Sequence, residues 1–99
     1  MKKLFISQPM RGKTDAEILA ERSNAIQAAK DSVKDEIEVI DSFFQGAPAN
    51  ATPLWYLGES LKLLATADVA YFAPGWDKAR GCKIENLCAK EYGVRVIEG

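Results

Sequence analysis

One carboxylate stands out in this 99-residue chain as a group that could do covalent chemistry: Glu85, at the end of the run Trp76-Asp77-Lys78-Ala79-Arg80-Gly81-Cys82-Lys83-Ile84-Glu85. An apolar, strand-like run (Val69, Ala70, Tyr71, Phe72, Ala73) and a glycine-containing loop precede it. Glu85 falls about one turn into the amphipathic segment that follows. Strand, loop and helix start together place its side chain at the carboxyl edge of a parallel sheet, where open α/β folds bind ligands. A first-turn glutamate is also favoured by the helix dipole alone. The spacing leaves both roles open.

Two other segments carry polar groups and also follow strand ends. Ser7-Gln8-Pro9-Met10-Arg11-Gly12-Lys13 offers a hydroxyl, an amide and a guanidinium beside Gly12, directly before a helix N-terminus. That arrangement suits a phosphate or a ribose hydroxyl. It is not a Walker loop, because Ser7 stands where the first glycine belongs. The segment from Asp41 to Asn50 is the second, and Ala73 to Gly81 completes the set. Ser7, Gln8, Arg11, Gly75, Trp76, Arg80, Gly81 and Glu85 are therefore expected to line one cleft. Asp41 ends a strand where dinucleotide folds place a ribose-binding acid, but their glycine fingerprint is missing from the first loop.

No cofactor is expected. Cys82 and Cys88 match neither a metal knuckle nor a redox dithiol, and the chain has no histidine to complete a zinc site. Cys82, beside Arg80 and Lys83 at a helix start, reads as a reduced structural thiol.

The elements that must position these groups alternate in the manner of βαβ units. Leu4 to Ser7 reads as a first strand. Thr14 with Glu17 forms a capping box, and the helix it opens carries Ile18, Leu19, Ala25, Ile26, Ala29 and Val33 on one side. Glu36 to Ile40 is the second strand. Thr52 as N-cap and Pro53 in the first turn start a second helix with an apolar stripe of Leu54, Leu57, Leu61 and Leu64. Asp68 to Phe72 is the third strand, a helix runs from about Gly81 to Tyr92, Gly93 ends it in a left-handed conformation, and Val94 to Ile97 is the fourth strand. The expected fold is α/β, a three-layer sandwich around a flavodoxin- or Rossmann-like parallel sheet of about four strands in the order 2-1-3-4, forming a single domain over residues 1–99.

Composition narrows the function classes. A hydrophobic content of 47% with 27% charged residues is that of an ordinary globular domain, and a net charge of −1 gives no reason to expect nucleic acid or an anionic membrane as partner. The N-terminus, Met1-Lys2-Lys3 and then only Leu4, Phe5 and Ile6, lacks the apolar region of a signal peptide, and no later run could span a bilayer. A cytoplasmic location is expected. The aromatic-rich stretch from Phe43 to Tyr56 predicts a homodimer or larger homo-oligomer.

These motifs resemble a known family. Phe5-Ile6-Ser7-Gln8-Pro9-Met10-Arg11-Gly12, Ala67-Asp68 and Gly81-x-x-x-Glu85 look like the nucleoside 2-deoxyribosyltransferase superfamily, which includes the deoxynucleoside 5'-monophosphate N-hydrolases. Leu57-Gly58-Glu59-Ser60, Gly75-Trp76 and Arg80-Gly81-Cys82 are similar to a small branch common in phages and their hosts. The resemblance implies cleavage or transfer of an N-glycosidic bond in a deoxynucleoside or its monophosphate, with Glu85 as nucleophile. It also implies that the Ser7 to Gly12 loop holds phosphate or sugar through Arg11, and that Trp76 or Met10 covers the base. Two departures accompany it. Ala79 stands where the enzymes carry an Asp or Ser, and Ser60, with Glu59 beside it, stands where the transferases carry a substrate-contacting Asp. The alternative function is a nucleotide-derivative binding module without turnover, such as a phage or defence-linked sensor. A cleft left vestigial in a structural oligomer is the third reading.

Overall fold

The computed structural model describes residues 1–9, 11–41 and 47–99. Strand β1 (Lys2–Ser7) leads through the first loop to helix α1 (Asp15–Val33), whose start is fixed locally. The Thr14 side chain accepts from the Glu17 N–H, and the Glu17 carboxylate reaches back to the Thr14 N–H, so two otherwise orphaned donors are satisfied reciprocally. Strand β2 (Ile37–Val39) follows, and then helix α2 (Pro53–Leu64), capped by Thr52 accepting from the Trp55 N–H at 3.1 Å. Strand β3 (Val69–Phe72) passes through a short 3₁₀ turn, Trp76–Lys78, into helix α3 (Arg80–Glu91), and strand β4 (Arg95–Glu98) ends the fold. Gly93 is left-handed at φ 77°, which lets the Val94 N–H reach the Ala89 carbonyl at 2.9 Å and close the end of α3.

The four strands form one parallel sheet in the order β2-β1-β3-β4, as the βαβ pattern predicts. Leu4 pairs with Val69 and Ser7 with Phe72, so β1 and β3 reach the carboxyl edge together. The alternation of strand side chains sorts the core into two layers. Leu4, Ile6, Val69 and Tyr71 pack with Ala25 and Ala29 of α1 on one face. Phe5, Ala70 and Phe72 pack with Leu64 and Ala89 of α2 and α3 on the other. Helices thus cover both faces, as an all-parallel sheet requires.

Two residues assigned to apolar stripes are exposed. Leu19 is 63% exposed, because it follows Ile18 by one residue and is rotated about 100° around the helix axis. Leu54 is 74% exposed; it lies in the first turn of α2, at the end where the helix borders a cavity instead of the sheet. The 3₁₀ turn is an element that the sequence pattern did not indicate. Asp68 accepts from the Lys3 backbone N–H at 2.8 Å, at the amino end of β3, and so ties two strands together on the edge opposite the cleft.

Candidate functional site

The alternation along β1 decides what the first loop can do. Ser7 follows Phe5 by two residues and points to the α2/α3 face; Gln8 points to the α1 face. Ser7 is buried, and its hydroxyl donates to Glu85 Oε1 at 2.7 Å. Gln8 is buried as well, but α1 occupies its amide. Its Nε2 donates to the Ile18 carbonyl and to Glu21 Oε1, both at 3.2 Å, and its Oε1 accepts from Arg22 Nη1 at 3.3 Å. Lys13 pairs with the other oxygen of Glu21 at 2.6 Å. Gln8 thus anchors the loop to α1 and has no amide group left to point into the cleft.

Glu85 is 7% exposed, on the buried side of α3 with Cys82, Asn86 and Ala89. Burial raises its carboxyl above the ordinary carboxylate range, while hydrogen bonds from the Ser7 and Ser60 hydroxyls act in the opposite direction. Ser60, on α2, therefore belongs to the site; the sequence pointed to it only through its place in the resemblance. Cys82 lies against the same group. Burial pushes its thiol up, the Ser7 hydrogen bond lowers it, and the Glu85 charge raises it further. A thiol held in this way stays protonated and acts as a packing group.

The N-terminus of α3 lies between two cavities. The first, of about 660 Å³, is lined by Pro9, Arg11, Gly75, Lys78, Ala79, Arg80 and Gly81. Its charged lining is entirely cationic. The second, of about 530 Å³, is mainly apolar and lies between Thr52, Pro53, Leu54 and Leu57 of the α2 start and Arg80, Gly81 and Ile84 of α3. Arg80 and Gly81 form the wall that both share, and Glu85 follows Gly81 by one helical turn. Gly75 is left-handed at φ 89°, and a Cβ there would stand 3.8 Å from the Pro9 ring, so the first and third loops meet at this point.

Arg11, Gly75, Arg80 and Gly81 are thus brought together, whereas the buried Ser7–Glu85 pair lines neither of these two cavities and meets them only through the turn of α3 that follows Gly81. Trp76 lines neither of these two cavities. Its ring packs 5.9 Å from Phe72, and Lys90 Nζ lies 5.6 Å over it, so it seats the 3₁₀ turn on the core. Gly12 is left-handed at φ 79° and shapes the turn before Thr14. Met10 lies outside the described residues. Among the described residues, no group of three His, Cys, Asp or Glu side chains is arranged to hold a metal ion, and no helix is long and apolar enough to cross a membrane.

Ala79 is the N-cap of α3, extended at φ −104°, ψ 120°, and it gives the helix no side-chain cap. The first N–H groups of α3 are therefore left without a side-chain acceptor beside the cationic cavity. Ala79→Ser is expected to stabilise the protein by about 1 kcal/mol, read as a higher urea midpoint, because a hydroxyl at the N-cap satisfies one of them. No gain would mean that this helix end is already satisfied.

The sequence profile of a domain of unknown function, DUF4406, matches residues 2–98. The chain belongs to this family. No curated protein and no solved structure matches it.

Proposed function

We propose that this DUF4406 domain acts on the N-glycosidic bond of a deoxynucleoside or deoxynucleoside monophosphate, as a hydrolase or deoxyribosyltransferase, and that it is a relative of the nucleoside 2-deoxyribosyltransferases. The observation that carries the reading is the buried Ser7–Glu85 pair at the carboxyl edge of the sheet, one turn from the wall shared by a cationic and an apolar cavity. A nucleotide combines those two requirements, an anion at one end and a flat apolar base at the other.

In this reading Ser7 and Ser60 hold the Glu85 carboxylate in place. One carboxylate oxygen forms a bond to the anomeric carbon as the bond to the base nitrogen breaks, and the base leaves with that electron pair and takes up a proton. The charge on the sugar in the oxocarbenium-like transition state is met by the carboxylate. Water then releases the sugar, or a second base accepts it, and the carboxylate is regenerated. Arg11, Lys78 and Arg80 supply the cationic field for a phosphate.

Removal of one guanidinium tests the phosphate assignment. Arg11→Ala or Arg80→Ala is expected to weaken calorimetric binding of deoxynucleoside monophosphates roughly 10-fold or more, the usual scale for a hydrogen bond to a charged group, and to leave the matching deoxynucleosides nearly unaffected. Equal losses for both ligand classes would count against a phosphate in this cavity.

Ala79 favours the second reading, a binding module without turnover, because a methyl group cannot orient a substrate by hydrogen bonding. Release of free base from a panel of deoxynucleosides and monophosphates, run beside binding of the same compounds, separates the two. Release supports the enzyme. Binding with no release supports the module.

A further inference from the structure

The outer side of α3 carries a pattern that the proposed chemistry does not use. Lys83, Leu87 and Glu91 recur every four residues along one exposed ridge, with Ile84 beside them. Leu87 is 59% exposed, a large apolar side chain at the middle of the ridge with a cation one turn before it and an anion one turn after. Neither Lys83 nor Glu91 has an ion-pair partner among the described residues, whereas the neighbouring Lys90 is engaged by Glu98 at 2.8 Å. The ridge continues into the apolar cavity, since Ile84 lines it together with the exposed Leu54.

Two free and opposite charges, equally spaced about an exposed leucine, make a self-complementary surface. A two-fold axis at Leu87 packs α3 antiparallel against α3 of a second copy, Leu87 against Leu87, and sets each Lys83 opposite the partner copy's Glu91. Parallel packing would oppose like charges. An isologous contact of this kind repeats every interaction twice, which is why one short ridge can specify it. The geometry points to α3 as the homodimer interface of this protein, with the ridge Lys83–Leu87–Glu91 docked on itself and the second copy closing the outer side of the apolar cavity. The inference rests on this surface alone and holds whether or not Glu85 is a nucleophile.

Sedimentation equilibrium of the full chain at micromolar concentration tests it. Wild type is expected to dimerise, and Lys83→Glu and Glu91→Lys each to weaken the dimer at least 10-fold, because each change replaces two attractions with two repulsions. The double variant Lys83→Glu/Glu91→Lys exchanges the charges and is expected to recover the dimer. An equimolar mixture of the two single variants is expected to form a heterodimer, since every pair across that interface is again opposite in sign. All these positions are exposed, so circular dichroism should show an unchanged fold. A monomeric wild type overturns the inference, as does a dimer indifferent to the single reversals or a double variant that stays dissociated.

Discussion

Glu85→Gln is expected to lower base release by at least about 10³-fold and, in the same molecule, to raise stability. The loss follows from the chemistry: an amide has nearly the same shape as the carboxylate but cannot form the glycosyl bond, and removing a nucleophile is among the most damaging changes an enzyme can suffer. The gain follows from burial. With 7% of its surface exposed, Glu85 gives up water when ionised, and its carboxyl is raised above the ordinary range for that reason. A group whose folded pKa lies above its unfolded value stabilises the fold fully at pH below the unfolded value. That contribution is lost as pH rises through the folded value. Wild type should therefore become less stable across the range just above ordinary carboxylate titration, and the glutamine variant should be flat there. At neutral pH the variant is expected to be more stable by roughly 1 kcal/mol, or about 4–8 °C in Tm for a domain this size. Activity has the opposite dependence, because attack needs the anion: the acid limb of the rate profile should be displaced upward over the same window. Thermal melts across pH, run beside base release, check both halves. Base release retained by Glu85→Gln would refute the nucleophile, and a stability difference independent of pH would refute the electrostatic origin of the gain.

The sequence made the architecture legible because several independent signals agreed. A capping box, a proline at a helix start, a glycine at a helix end and the alternation of strand and helix periods all act within a few residues, so they survive without knowledge of tertiary contacts. The order β2-β1-β3-β4 and the placement of Arg11, Gly75, Arg80 and Gly81 at one edge followed from that pattern. What was not legible depended on which way a side chain turned. Ser7 and Gln8 are adjacent and both polar, yet the strand's period of two sends one to Glu85 and the other to Glu21. That distinction was available from Phe5, whose face Ser7 must share. Trp76 was given a base-covering role, beside Met10, only by the resemblance; a three-residue 3₁₀ turn, too short to leave a periodic trace, packs it against Phe72. Leu54 had the spacing of a core residue and lies instead beyond the end of the sheet. Of the aromatic segment, Phe43 and Phe44 lie outside the described residues, while Trp55 and Tyr56 meet edge to face at 5.1 Å.

Phe72→Ala is expected to be the most destabilising single change here, costing about 3–5 kcal/mol. Phe72 is fully buried at the last position of β3, paired with Ser7 of β1, and packs in the layer that the sheet forms with α2 and α3. Truncation leaves a ring-sized void in a layer whose other members, Phe5, Leu64, Ala70 and Ala89, belong to two strands and two helices that cannot all move inward together. Against the 5–15 kcal/mol that holds a typical domain together, this is a large share, and Tm should fall by more than about 10 °C. The site should suffer as well. Trp76 rests on Phe72, and the turn it seats ends at Ala79, the N-cap that positions Arg80 and Gly81 in the shared cavity wall. Ligand binding should therefore weaken in the fraction that remains folded. Leu54→Ala is the control: it removes a comparable apolar side chain from a position 74% exposed, and its effect on stability should stay within about 0.5 kcal/mol. Urea unfolding of both variants, with midpoints compared at constant slope, measures the difference. If the two variants lost similar stability, the layer containing Phe72 would not be the core that fixes the cleft.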